Sequence, residues 1–292
     1  MEYSNALKKF GPGPSAAEVE RMLEEIRPLT EKNRNREVYR KCFSCIDLTS
    51  LGSTDSHEHI ERFVRKAVEF PSHYPDIPNV ASVCVYPAFV ETAGVAIGES
   101  GLAITSVSGG FPSSQTYLEV KMLETSMAVE NGADEIDIVI GVGEMLSGEY
   151  DPMGNEIETL RKEVGEDVTL KVILETGLLR EPALIYRAAV IAMLAGADFI
   201  KTSTGKTGTG ATPEAAVTMC AAIRSFAEKT GRATGFKAAG GISAPDDAVL
   251  YYTIVERLLG QEYLTPERFR LGASSLAGNL LDAITGREER YF

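Results

Sequence analysis

The sequence is poor in the features that mark several protein classes, and each shortage excludes something. Four cysteines (Cys42, Cys45, Cys84 and Cys220) are spread over 292 residues, which is no disulfide scaffold. Cys42 and Cys45 form a C-x-x-C, but they lie in or beside an apolar, strand-like run where odd spacing sends them to opposite faces. No second C-x-x-C exists to complete a zinc site, so neither metal nor cofactor is expected. Histidine is scarcer: His57, His59 and His73 cluster near the first helix of the main repeat and read as surface imidazoles. Basic residues are outnumbered, leaving a net charge of -13, the opposite of the basic surface that nucleic acid requires. No apolar run reaches the ~18 residues of a membrane span. The opening Met1-Glu-Tyr-Ser-Asn lacks the basic-then-apolar order of a secretory signal, so a cytoplasmic location is expected.

What is present is a rhythm. Residues 1–42 read as a helical appendage: Gly11-Pro-Gly-Pro14 is a breaker, Ser15 and Glu18 match a capping box for a helix through Arg27, and a second helical stretch covers 31–41. This appendage packs across the bottom of the main domain or forms a subunit contact; the sequence does not choose. From residue 43, strand patterns at 43–49, 80–86, 103–107, 135–140, 169–175, 199–202, 234–237 and 268–272 alternate with helical patterns at 54–69, 88–98, 115–131, 156–164, 182–194, 212–229, 245–259 and 275–285. Most of the strands are continuous apolar runs, as parallel strands covered on both faces require. Thr212-Pro-Glu places a cap before proline at the first helical position. Eight such units predict an α/β fold, a single-domain (β/α)₈ TIM barrel over 43–285 with a helical N-terminal extension and a tail at 286–292. An open doubly wound sheet competes, but no Gly-x-Gly-x-x-Gly follows the first strand.

Six strand patterns carry a polar or reactive residue: Asp47, Cys84, Asp137, Lys171, Lys201 and Lys237. In a barrel such groups project at the C-terminal strand ends and converge. Lys201, in Phe199-Ile-Lys-Thr-Ser-Thr-Gly-Lys206, shares a strand face with Phe199. A buried lysine is costly, and one use for it is as a neutral amine that attacks a carbonyl. A lysine snorkelling at a strand end is the alternative. Bringing an amine of pKa ~10.4 to ~7 takes roughly 4.6 kcal/mol. A second ammonium about 5 Å away supplies roughly 3 kcal/mol of that, and desolvation the remainder. Lys237, on the next strand, is the candidate neighbour, with Asp137 keeping it charged and passing protons through water. A structural Lys–Asp pair is the competing account. Lys171 and Glu175 are expected to share a strand face.

A second constellation suits phosphate, which barrels hold after strands 7 and 8 beside a helix N-terminus. Gly240-Gly241 follows the seventh strand, Ser274-Ser275 opens the last helix, and Thr204-Gly205-Lys206 adds a donor and a positive charge. Turn and cap chemistry alone is the plainer explanation for these glycines and serines.

These residues closely resemble the deoxyribose-phosphate aldolase family of class I, Schiff-base-forming aldolases. The matching stretches are Ile46-Asp-Leu-Thr49, Val83-Cys-Val-Tyr-Pro87, Gly132-Ala-Asp-Glu-Ile-Asp137, Leu170-Lys-Val-Ile-Leu-Glu-Thr-Gly177, Ala195 to Lys206, Gly235-Phe-Lys-Ala-Ala-Gly-Gly241 and Phe269-Arg-Leu-Gly-Ala-Ser-Ser275. The resemblance implies reversible cleavage of 2-deoxy-D-ribose 5-phosphate to D-glyceraldehyde 3-phosphate and acetaldehyde, without metal. It makes Lys201 the Schiff-base lysine and Asp137 and Lys237 the proton relay. Asp47, Cys84 and Lys171 would line or support the site, and Thr204, Gly205, Lys206, Gly240, Gly241, Ser274 and Ser275 would bind substrate. In some members a tyrosine in a flexible C-terminus donates a proton; Tyr291 is the counterpart, in a tail expected to be disordered. The chain departs from the family in its appendage and at Ser113, where a glycine usually follows Phe-Pro. A barrel aldolase for another phosphorylated sugar or keto acid, and a non-catalytic phosphosugar binder, are the competing functions. The oligomeric state is left open, with a homo-oligomer allowed and no nucleic-acid or membrane partner expected.

Overall fold

The computed structural model describes residues 2–292. At its centre eight parallel strands run in sequential order and the last pairs with the first, closing a barrel. The strands are β1 (Ile46–Thr49), β2 (Ser82–Val85), β3 (Ala103–Ser108), β4 (Glu135–Val139), β5 (Thr169–Ile173), β6 (Phe199–Lys201), β7 (Gly235–Ala239) and β8 (Phe269–Ala273). Both faces of nearly every strand are buried, which explains why they read as unbroken apolar runs instead of alternating ones.

Before the barrel come α1 (Tyr3–Ala6), α2 (Ala16–Ile26), α3 (Thr30–Asn33) and α4 (Arg36–Ser44). The crossovers carry α5 (His57–His73), α6 (Val90–Ile97), α7 (Leu118–Glu130), α8 (Val142–Ser147), α9 (Tyr150–Val164), α10 (Thr176–Leu179), α11 (Pro182–Leu194), α12 (Pro213–Thr230) and α13 (Pro245–Leu259), and α14 (Leu276–Thr285) follows β8. No helix among the described residues is long and apolar enough to cross a membrane. Local chemistry sets the ends. Ser15 and Glu18 form the capping box on α2, and Thr212 caps α12 ahead of Pro213.

The stretch expected as one helix over 31–41 is two. Asn35, in extended conformation, interrupts it and accepts the Val38 N–H at 3.1 Å to start α4. Because α4 then continues through Ser44, β1 begins at Ile46 and not at residue 43. Cys42 therefore lies in a helix and Cys45 at its end, not on opposite faces of a strand; both thiols are buried, and burial pushes Cys45 up to about 12. The 42/43 boundary likewise falls inside α4. Residues 2–42 lie against the outer helices of the barrel. Tyr3 is fully buried against Gly154 of α9, where a Cβ would sit 2.4 Å from its ring, and its hydroxyl donates to Glu158 at 3.0 Å. α2 packs on α12, and α4 packs on α13 and α14. The tail is packed too. Tyr291 meets Phe70 of α5 edge-on, Phe292 packs on it at a tilt, and Phe292 also meets Phe43.

Candidate active site

β6 is three residues long and points Lys201 into the barrel, 3% exposed. Its register with β7 sets Lys201 directly opposite Lys237, and the β4–β5 register sets Asp137 opposite Lys171. All four side chains meet at Asp137. Lys201 Nζ donates to Asp137 Oδ2 at 2.7 Å, and Lys237 Nζ donates to the same oxygen at 2.8 Å. The two nitrogens are therefore no farther apart than the sum of those two bonds. Lys171 Nζ takes the other oxygen, Oδ1, at 3.0 Å. Lys237 also pairs with Asp47, which in turn pairs with Arg270. Gly272 leaves room for the lysine stem: a Cβ there would lie 3.0 Å from Lys237 Cε.

The environment splits the two amines. Burial disfavours the charged form of both. For Lys201, burial and the adjacent Lys237 charge outweigh the attraction of Asp137, and the amine is held below the ordinary lysine range. For Lys237, burial is overcome by Asp137 and Asp47 together, and the ammonium is held above it. Burial alone would raise Asp137, but Lys171, Lys201 and Lys237 keep it ionised, well below the usual carboxylate range. Two identical side chains on one oxygen are thus shifted in opposite directions, Lys201 toward the free amine and Lys237 toward the cation.

Above Lys201 opens a pocket of about 540 Å³ at the C-terminal ends of the strands. Its walls include Thr204-Gly205-Lys206, Gly240-Gly241 and Ser274-Ser275. Gly205, Gly240 and Gly241 take left-handed conformations that favour glycine. Gly240 is also pressed against Gly210, where a Cβ would stand 2.2 Å from the Gly240 carbonyl oxygen. Ser274 and Ser275 are exposed, and Ser275 sits at the N-terminus of α14 without spending its hydroxyl on capping. The arrangement presents a cation, two hydroxyls and a helix N-terminus to an oxyanion. Lys206 reaches across the mouth, its ammonium donating to the Leu51 carbonyl.

Other residues singled out in the sequence have different surroundings. Thr204 lines the pocket, but its hydroxyl and its N–H donate to Glu175. Glu175 does not share a strand face with Lys171: β5 ends at Ile173, and Glu175 takes a left-handed conformation that turns it toward Thr204. Asp47 and Lys171 lie beneath the pocket, fully buried, and support it without lining it. Cys84 is fully buried beside Leu51 and Val107, and burial pushes its thiol up. Past Ser113 the β3 rim is pinned by Lys121, which donates to Ser114 and Glu156, each at 2.7 Å. Tyr291 is not brought to the pocket. Its hydroxyl donates to the Lys66 carbonyl at 2.8 Å and its ring packs on Phe70 and Tyr74, toward the end of α5 remote from the mouth.

Sequence reasoning missed the charges at the barrel floor. Glu135, two residues before Asp137, and Arg270, in Phe-Arg-Leu-Gly, are buried and bonded to each other. Ser82 and Thr105 join them by hydrogen bonds to Asp47 and Glu135. The available signal was a charged residue inside an apolar strand, the one that flagged Lys171.

A family model described as DeoC/LacD family aldolase matches residues 43–256. Human deoxyribose-phosphate aldolase is 42% identical over 267 residues, covering 86% of this chain and 83% of that one. The deoxyribose-phosphate aldolase of Agrobacterium fabrum is 38% identical over 258 residues, covering 88% and 96%. Among solved structures, the deoxyribose phosphate aldolase of Aeropyrum pernix, described as a unique tetramer, superimposes with a TM-score of 0.68 at 26% identity, covering 92% of this chain and 98% of that one. A family match over most of the barrel, together with close relatives along most of the chain, makes this protein a member of the DeoC/LacD family of aldolases.

Proposed function

We propose that the protein is a class I deoxyribose-phosphate aldolase that reversibly cleaves 2-deoxy-D-ribose 5-phosphate to D-glyceraldehyde 3-phosphate and acetaldehyde. The observation that carries this reading is the sharing of one Asp137 oxygen by Lys201 and Lys237, both buried in the barrel, directly under a pocket fit for phosphate. The free amine of Lys201 adds to the aldehyde carbon of the open-chain sugar. Loss of water gives an iminium, which draws electrons toward nitrogen. Asp137 and Lys237, working through water, accept the proton of the C3 hydroxyl, and the C2–C3 bond breaks. Its electron pair becomes the enamine, and the aldehyde formed at C3 leaves as D-glyceraldehyde 3-phosphate. The relay returns the proton to the enamine carbon. Hydrolysis then frees acetaldehyde and restores the lysine.

Gly205, Lys206, Gly240, Gly241, Ser274 and Ser275 hold the 5-phosphate, while Asp47, Lys171 and Cys84 fix the groups beneath. All three named relatives carry the same activity in their names. A homo-oligomer is also proposed, from the tetrameric relative and from the exposed Tyr117, Val120, Leu123 and Met127 on and beside α7. Borohydride trapping with acetaldehyde, followed by peptide mass analysis, tests the chemistry. Mass added at Lys201 is expected, and no adduct at any lysine refutes the assignment. 2-Deoxyribose 5-phosphate, compared with other phosphorylated sugars and keto acids, tests the substrate.

A further inference from the structure

The barrel floor holds two charged side chains that the chemistry above does not use, Glu135 on β4 and Arg270 on β8, each 6% exposed. Arg270 donates to both Glu135 oxygens, at 2.6 and 3.1 Å, and also reaches Asp47. Its guanidinium lies 5.8 Å from the Phe199 ring centroid. Glu135 accepts Lys171 at 2.5 Å and the Thr105 hydroxyl at 2.6 Å. Two chains of contact lead from this pair to the reactive amine. One runs through Lys171 to Asp137, the other through Asp47 and Lys237. Buried ion pairs are poor stabilisers, and apolar replacements often match them. Stability alone therefore does not explain why the pair is there.

Each member of the pair also carries a charge within the ion-paired network that holds Lys201. The strands around Lys201 contribute Asp47 from β1, Glu135 and Asp137 from β4, Lys171 from β5, Lys237 from β7 and Arg270 from β8. β2 adds the Cys84 thiol, kept neutral by burial, and β3 adds hydroxyls only. At the mouth, Glu175 is held by Thr204, Asp55 by Ser50 and Gly52, and Lys206 by the Leu51 carbonyl. Within the ion-paired network around Lys201, three carboxylates face three cations other than Lys201; Glu175, buried on Thr204, lies outside that network. The sum is zero when Lys201 is a free amine and one positive when it is protonated. An unbalanced charge in a dry interior is costly.

We infer that Glu135 and Arg270 are positioning residues whose opposite charges each act on Lys201 through this network, so that loss of either one shifts the protonation of Lys201 in the direction of the charge left over. The inference rests on the Schiff-base role of Lys201 proposed above. It separates charge balance from packing. Arg270→Gln leaves a surplus negative charge and favours a protonated Lys201. Glu135→Gln leaves a surplus positive charge and opposes it. A pair that merely filled space would, on loss of either partner, admit water and bring Lys201 toward ordinary lysine behaviour in both variants.

The experiment measures how adduct formation at Lys201 with acetaldehyde and cyanoborohydride depends on pH, read by peptide mass, beside the acid limb of kcat/KM for 2-deoxyribose 5-phosphate. Relative to wild type, Arg270→Gln should move the midpoint up by about one pH unit and Glu135→Gln should move it down by a similar amount. The double variant, with the count restored, should keep the wild-type midpoint. Movement of both single variants in the same direction, or of neither, overturns the inference. Should Arg270→Gln not fold, Glu135→Gln decides alone, because only charge coupling moves its midpoint down; should Glu135→Gln not fold, Glu135→Leu, which loses the same charge, takes its place. An adduct at Lys201 in the wild type keeps this outcome apart from the Schiff-base assignment, which fails only if that adduct is missing.

Discussion

Replacing Lys237 by leucine isolates the effect that makes Lys201 a nucleophile. The two ammonium positions share one carboxylate oxygen, through bonds of 2.7 and 2.8 Å, which places them no more than about 5.5 Å apart; at an effective dielectric of about 20 their repulsion is at least roughly 3 kcal/mol. Removing Lys237 removes that repulsion and leaves Asp137 and Asp47 with less compensation, so both consequences favour a protonated Lys201. At about 1.4 kcal/mol per tenfold, the free-amine fraction at neutral pH falls by at least about a hundredfold. The leucine keeps the buried volume, but loss of one partner from a buried ion pair costs about 3–5 kcal/mol of stability, so the urea midpoint is measured beside the kinetics. The assay is kcat/KM for 2-deoxyribose 5-phosphate from pH 5 to 10. The loss should be largest at low pH and partly recovered at high pH, where Lys201 deprotonates without help. A uniform loss at every pH would assign Lys237 to proton transfer alone. Activity within threefold of wild type at pH 7 would refute the electrostatic argument.

Other consequences follow from the same coordinates. Ser274→Glu puts a negative charge against the proposed phosphate position and should raise KM for the phosphorylated sugar about tenfold, a cost of roughly 1.4 kcal/mol, while leaving the unphosphorylated sugar unchanged; steady-state kinetics on both substrates decide it. Tyr291→Phe removes one hydroxyl that donates to the Lys66 carbonyl, so stability should drop by about 1 kcal/mol or less with kcat within about twofold; a kcat fall of tenfold or more would mean that the tail reaches the site. Asp47, Glu135 and Asp137 are held below their ordinary range, so the unfolded chain takes up protons first as the pH falls. The urea midpoint should therefore be level above about pH 5 and decline below about pH 4, and a midpoint level down to pH 3 would contradict these shifts.

Much of this was legible in the chain. The eight strands were readable because parallel strands buried on both faces leave apolar runs, and the capping signals at Ser15 and Thr212 marked true helix starts. The convergence on Asp137 followed once a barrel was assumed, because inward-facing positions on adjacent strands must meet. The misses share a cause. Tertiary contacts set the end of β5, where Glu175 leaves the strand to hold Thr204, and the extension of α4 through Ser44. Tyr291 carried a family expectation, but its location depended on the aromatic surface of α5, which no local pattern reveals. Glu135 and Arg270 were passed over because each looks like an ordinary strand-end charge until its partner, 135 residues away in sequence, is seen.

The most direct test is the protonation of Lys201 itself. Lysines labelled at the ε-carbon can be titrated by NMR, and the Lys201 resonance assigned by its loss in Lys201→Arg. The account predicts that this amine titrates below the ordinary lysine position of ~10.4, while that of Lys237 titrates above it. A Lys201 resonance titrating at the ordinary lysine position would contradict it.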